Sequence, residues 1–343
     1  MTVNQAFWLV LAALEIGILF WGVRVLPREH MQILATVPLR RAPDSRWEGV
    51  NLTWYGLLQA ISITMAAALA LVLAHAAGAP LLYTAALTGL SLLVCLPAAR
   101  LVARIVERKR GTFTVGGAVF VGIMTMPWLA FLLDRLAGVG YALPTISALS
   151  VAYVIGEGLG RLACISFGCC YGRRLDGCGP WLQRVFRHAP AIVIGPTRKA
   201  AYAGGCEGVP LLPVPALSAV LLSGAGLAGV ALFLDGSFRG AGAAALVVAF
   251  VWRFASEFLR ADYRGGGRIS AYQWMALLSL VSALATFVLL PGAAGAPLVL
   301  RGLRVLWTPA GLLAFAGLGA AVFGYLGISR VTGASVTLKV LAD

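Results

Sequence analysis

A chain of 343 residues that is 60% hydrophobic and only 12% charged carries about half the charge of a soluble domain, for which roughly 25% is usual. That excludes a soluble enzyme, a disordered chain and a small disulfide-linked secreted domain, and it leaves a polytopic helical membrane protein. The net charge of +14 would point to nucleic acid on a soluble surface; here it belongs beside anionic lipid, and no nucleic-acid partner is expected.

A helix needs about 20 apolar residues to cross the hydrocarbon core. Nine stretches qualify: 5–22, 53–75, 82–100, 115–133, 142–165, 212–234, 240–259, 271–291 and 308–328. The fold expected is therefore all-α, a bundle of nine transmembrane helices forming one integral membrane domain over 1–343. The first stretch lacks a basic n-region and a small-residue cleavage site, so it reads as a helix rather than a leader. It contains Glu15, which reads as a packing or interfacial residue near one helix end. Connections are short except 23–52 and 169–211, and no soluble domain is expected in either.

Sorting basic residues by connection puts 21 on one face: 23–52, 100–112, 169–211, 260–270 and the tail. Arg135, Arg239, Arg301 and Arg304 lie on the other. The positive-inside rule makes the richer face cytoplasmic.

Charge inside a span is costly and usually marks function. Two clusters qualify. In Gly156-Glu157-Gly158-Leu159-Gly160-Arg161, Glu157 and Arg161 are four apart and share a helix face. In Arg253-Phe254-Ala255-Ser256-Glu257-Phe258-Leu259-Arg260, Glu257 stands four from Arg253 and three from Arg260. Such pairs can staple helices together, or they can build an anion site in which arginine forks grip a phosphate. Two clusters toward the basic face favour a phospholipid headgroup.

Cysteines 164, 169, 170, 178 and 206 surround the second of these connections. Zinc sites favour CxxC pairs or accompanying histidines; adjacent Cys169 and Cys170 have neither, so no metal is expected. Cys95 and Cys164 read as small buried apolar residues. A disulfide at Cys178 or Cys206 requires an oxidising face. No nucleotide or cofactor fingerprint occurs in a usable context, and no cofactor is expected.

At these residues the chain resembles the prolipoprotein diacylglyceryl transferase family. Gly160-Arg161-Leu162, then Gly168 and Tyr171-Gly172-Arg173, is similar to the family's signature. Arg253-Phe254, Glu257-Phe258, Arg260 and Asp262 are similar to its Arg-Phe-x-x-Glu-Phe-x-Arg element. Trp54-Tyr55-Gly56 and Gly116-Gly117 match shorter elements. The resemblance covers about 50–290 and leaves 1–49 and 291–343 as added terminal helices.

Family members are seven-helix inner-membrane enzymes. They move a diacylglyceryl group from phosphatidylglycerol to the lipobox cysteine of a prolipoprotein, releasing glycerol phosphate. The resemblance therefore implies a transferase in a bacterial inner (plasma) membrane. It implies Arg161, Arg253 and Glu257 as catalytic residues, the arginines holding phosphate and Glu257 orienting one of them. It implies Tyr55, Glu157, Gly172, Arg173 and Arg260 as the substrate-binding set.

The chain also departs from the family. Val115 stands where the family has histidine, Ala163 and Cys164 where it has glycine and asparagine, and Cys169 where it has glutamate. A relative with another acceptor, or a non-catalytic phospholipid-binding protein, are the alternatives. The family's site opens to the periplasm, opposite to what the charge count gives; the motifs concern the site itself, and we take that orientation.

Overall fold

The computed structural model describes residues 1–44, 46–106, 114–262, 269–292 and 295–337. Among them are nine helices long and apolar enough to cross a membrane: α1 (Val3–Val25), α2 (Trp54–Ala76), α3 (Leu81–Val106), α4 (Val115–Ala137), α5 (Ala142–Phe167), α8 (Val214–Leu234), α9 (Phe238–Ser256), α10 (Ala271–Leu289) and α12 (Pro309–Leu326). Three short helices intervene, α6 (Pro180–Phe186), α7 (Lys199–Gly204) and α11 (Val299–Leu306). The protein is an all-α, multi-pass membrane helix bundle.

The bundle is built around α5. Of its most apolar stretch 78% is buried, against 50% or less in every other span. Small residues make this centrality feasible, because they let backbones approach. A Cβ at Gly156 would collide with Ala66 of α2, and one at Gly158 with the Ser223 backbone of α8. The two glycines flank Glu157, so α5 is gripped from both sides at the residue carrying the buried charge. The terminal spans α1 and α12 are peripheral, with 17% and 6% of their apolar stretches buried.

The long basic connection ahead of α2 is not a loop. It folds into a hairpin of β1 (Ile33–Arg41) and β2 (Trp47–Thr53), and β5 (Ile328–Val336) adds to β2 antiparallel. Asn51 ties the three strands, donating to the Thr332 hydroxyl and the Gly333 carbonyl and accepting from Thr36. The nine apolar helices among the described residues, an odd number, put the start of α1 and strand β5 at opposite ends of the bundle. The β2–β5 pairing therefore sets the tail at the same end as the hairpin and the 168–213 segment. A two-stranded pair, β3 (Ala191–Ile192) with β4 (Pro210–Leu211), orders that segment. Arg108, Lys109, Arg110, Arg264, Arg268 and Lys339, counted on the basic face, lie outside the described residues.

Glu15 departs from its expected place. It sits mid-helix in α1, fully buried, and neither carboxyl oxygen makes a hydrogen bond of sound geometry among the described residues.

Candidate functional site

Glu157 is the hub of the buried charge. It accepts hydrogen bonds from Arg161 one turn along α5, from the Tyr153 hydroxyl one turn back, and from Arg253 Nη1 of α9 at 2.8 Å. All the charges are sequestered, with side-chain exposures of 5% for Glu157, 9% for Arg253 and 12% for Arg161. Two guanidiniums share one carboxylate, so the cluster keeps an excess of one positive charge. Arg161 Nε, moreover, is buried with no hydrogen-bond partner among the described residues. The sequence placed Arg253 with Glu257. In the structure it turns instead toward α5, into a space kept open by Gly116 of α4, where a Cβ would strike the guanidinium.

A cavity of about 300 Å³ lies against this cluster, between α2, α3, α4, α5 and α10. Tyr55, Gln59, Tyr153, Glu157, Arg161 and Cys164 form its polar end. Its other walls are mainly apolar, among them Ile63, Leu92, Ile123, Met126, Leu149 and Phe287, with scattered hydroxyls such as Thr88 and Ser150. On α5 the lining runs from Ile146 to Cys164, a span of about 27 Å at helical rise. The cavity is therefore amphipathic, with a charged end and a long, mainly apolar body. Arg253 is not part of the wall; it acts on the cavity through Glu157.

The other implied residues form a separate layer at the basic end. Arg260 grips Asp262 with two bonds of 2.8 and 2.7 Å and lies 3.8 Å from Glu257. Glu257 thus faces Arg260, not Arg253. Gly172 bridges to Arg260 through the backbone, while Arg173 donates to the Leu259 carbonyl and accepts from Leu212. A Cβ at Gly172 would strike the Leu212 carbonyl, so glycine permits this three-way backbone junction. The Arg173 side chain is exposed. Of the eight implied residues, Tyr55, Glu157, Arg161 and Arg253 gather at the cavity, whereas Gly172, Arg173, Glu257 and Arg260 gather at the junction. The side chain of Val115 is outside the described set.

Cys164, Cys169 and Cys170 converge, although their spacing argued against a metal site. Their Sγ atoms all lie within 4.8 Å of one another, and Cys164 and Cys170 are 3.8 Å apart. Cys178 and Cys206 contact backbone carbonyls of Arg174 and Gly204 and are not in a disulfide.

Arg198 was counted only as one more basic loop residue. It is the largest fully buried side chain among the described residues. Its guanidinium donates to the carbonyls of Leu26, Arg28 and Ile165, at the C-terminal ends of α1 and α5. The Ile165 and Arg28 carbonyls also accept backbone amides, from Gly168 and Met31, whereas the Leu26 carbonyl takes its bond from Arg198; a cation suits all three at these helix ends. Burial pushes the Arg198 pKa down to about 10. Only tertiary closure of the 168–213 segment brings it there, and no local pattern announces it.

No protein-family model matches the chain, and no curated protein matches it significantly. The fold and cavity define a class: a multi-pass membrane protein with an amphipathic cavity whose polar end carries excess positive charge.

Proposed function

We propose that the protein is a membrane-embedded phospholipid-handling transferase of a bacterial inner membrane, moving a diacylglyceryl group from phosphatidylglycerol to a prolipoprotein cysteine. The observation that carries the lipid part is the two-arginine, one-carboxylate cluster at the polar end of a long apolar cavity. The reaction itself rests on the resemblance of the motifs. In the proposed step the thiolate sulfur attacks the glyceryl carbon. The carbon–oxygen bond to phosphate breaks, and the electron pair leaves with glycerol phosphate. Arg161 contacts the phosphate and stabilises its growing charge. Arg253 is a positioning residue, holding Glu157 and adding the second positive charge. Tyr55 borders the headgroup, and Glu257 anchors Arg260 at the junction.

A second reading, a phospholipid-binding protein without transfer, draws on one observation. Glu157 is the only carboxylate in the described cavity wall, and two arginines already hold it. So engaged, it is a poor base for a thiol, whose anion is the reactive form.

The test is lipid mass spectrometry of the purified protein, then incubation with phosphatidylglycerol and a lipobox peptide. Glycerol phosphate release with a matching mass gain on the peptide supports transfer. Retained phosphatidylglycerol without release supports the second reading. Release without peptide modification points to another acceptor. A protein that retains no phospholipid and releases nothing overturns both readings.

A further inference from the structure

The three-thiol cluster has a geometry that packing alone does not explain. In a tetrahedral zinc site with Zn–S of about 2.3 Å, neighbouring sulfurs stand about 3.8 Å apart. Cys164 and Cys170 are already 3.8 Å apart, and Cys169 completes a triangle with no edge beyond 4.8 Å.

The backbone is bent to make this triangle. Helix α5 ends at Gly168, whose φ of 69° is left-handed, and the Cys169 amide bonds back to the Cys164 carbonyl. Cys170 follows with φ 57°, the only non-glycine residue at positive φ among those described. A side-chain-bearing residue held there is a strained element, of the kind that clusters at ligand clamps. It turns the third sulfur back toward the first.

The surroundings suit an anionic cluster. Three thiolates and a divalent ion sum to −1. Arg161 lies within electrostatic reach of Cys164 and Cys170, and Arg260 of Cys170. The Tyr55 hydroxyl is within reach of all three thiols. Cys164 also lines the lipid-shaped cavity. A tetrahedral ion held by three sulfurs keeps a fourth position, the pattern of zinc sites that bind a further group.

We propose that Cys164, Cys169 and Cys170 form a thiolate site for a soft divalent cation of the zinc class, at the polar end of the cavity. Its occupancy does not depend on diacylglyceryl transfer, so it stands or falls separately from the proposed reaction.

The experiment uses the full chain in detergent under reducing, metal-free conditions, titrated with Co²⁺ and then Zn²⁺. A thiolate site gives a sulfur-to-cobalt absorption band that saturates at one ion per chain and is lost when Zn²⁺ displaces the cobalt. Thiol counting should show the reactive thiols reduced by three when Zn²⁺ is bound. Cys164→Ser and Cys170→Ser should each weaken Zn²⁺ binding at least about tenfold, while Cys95→Ser and Cys178→Ser leave it unchanged. Wild-type protein that shows no cobalt–sulfur band with its thiols reduced overturns the proposal without recourse to any variant. So does a band that persists in the Cys164→Ser, Cys170→Ser double variant.

Discussion

Arg253 Nη1 donates to Glu157 Oε1 at 2.8 Å, joining α9 to α5 across 96 positions of sequence. The carboxylate is thereby shared with Arg161, and neither arginine is fully neutralised. Removing it should leave two guanidiniums facing one another in a low-dielectric interior. Breaking a buried pair typically costs about 3–5 kcal/mol. Glu157→Gln should therefore strongly lower the unfolding midpoint in detergent. Glu157→Gln combined with Arg253→Met should recover part of the loss, because the stranded charge is gone. A double variant no more stable than Glu157→Gln alone would mean that Arg253 contributes little to the cluster.

Arg161 differs from Arg253 in facing the cavity, with Nε unsatisfied. A planar fork can hold Glu157 and a phosphate together, whereas a lysine presents one point charge. Arg161→Lys should lower retention of phosphatidylglycerol at least about tenfold, measured by native mass spectrometry against a neutral lipid of equal chain length. Unchanged anionic-lipid retention would remove Arg161 from the headgroup site.

Glu257 now has a different expected phenotype from Glu157. Its neighbour Arg260 keeps two bonds to Asp262 when Glu257 is neutralised. Glu257→Gln should hold lipid retention within about threefold of wild type and cost about 1 kcal/mol, because at 3.8 Å the buried contact is too long for a hydrogen bond. Asp262→Ala should cost about 3 kcal/mol, since it strips a buried arginine of its bidentate partner. If Glu257→Gln abolishes retention while Glu157→Gln leaves it intact, the two carboxylates must exchange roles.

The spans were legible because membrane burial writes a long apolar run into the sequence whatever the neighbours are. The Arg161–Glu157 pair was legible for a similar local reason, since helix geometry places residues four apart on one face. Arg253 was misassigned by that same rule: Glu257 falls in the 3-10 turn that ends α9, where α-helical spacing no longer holds. The β2–β5 pairing was missed although Trp47–Thr53 and Ile328–Val336 are strand-like in composition, because those two segments lie at opposite ends of the sequence; the β1–β2 hairpin is local, but Pro38, Arg40 and Arg41 of β1 mask its strand pattern. The thiol triangle needs the left-handed turn at Gly168 and Cys170, and side-chain spacing alone does not encode it.

Arg198 supplies a stability prediction independent of lipid. Arg198→Met keeps the apolar stem and removes every guanidinium donor to the Leu26, Arg28 and Ile165 carbonyls. The Leu26 carbonyl is left unpaired while the Arg28 and Ile165 carbonyls keep their backbone amides, so stability should fall by about 1–3 kcal/mol, read as an earlier thermal transition. Protease nicking should begin in 168–213, the segment that this side chain ties to α1 and α5. A transition within error of wild type would show that the Leu26 carbonyl finds another partner.

Sidedness can be tested at one residue. The hairpin, β5 and the 168–213 segment share an end of the bundle, so one probe orients all of them. The 21-to-4 excess of basic residues argues for the cytoplasm, at about 1 kcal/mol per juxtamembrane charge. Some of those charges have structural work, however: Arg198 is buried on carbonyls, Arg260 is held by Asp262, and Arg100 stacks over Tyr325 at 3.8 Å. A charge consumed by the fold orients the chain less than a free one. The proposed transfer requires the polar end of the cavity to face the periplasm, where a lipobox cysteine emerges. Cys206 is buried and unsuited as a reporter, whereas Cys178 is half-buried in a surface turn. In intact cells, with any outer barrier permeabilised, an impermeant maleimide should label wild type more than Cys178→Ser. A cysteine placed at Gly140, an exposed site at the opposite end with open space around it, should stay protected until the inner membrane is broken. The reverse pattern would put the basic face in the cytoplasm, and with it any acceptor that the cavity serves.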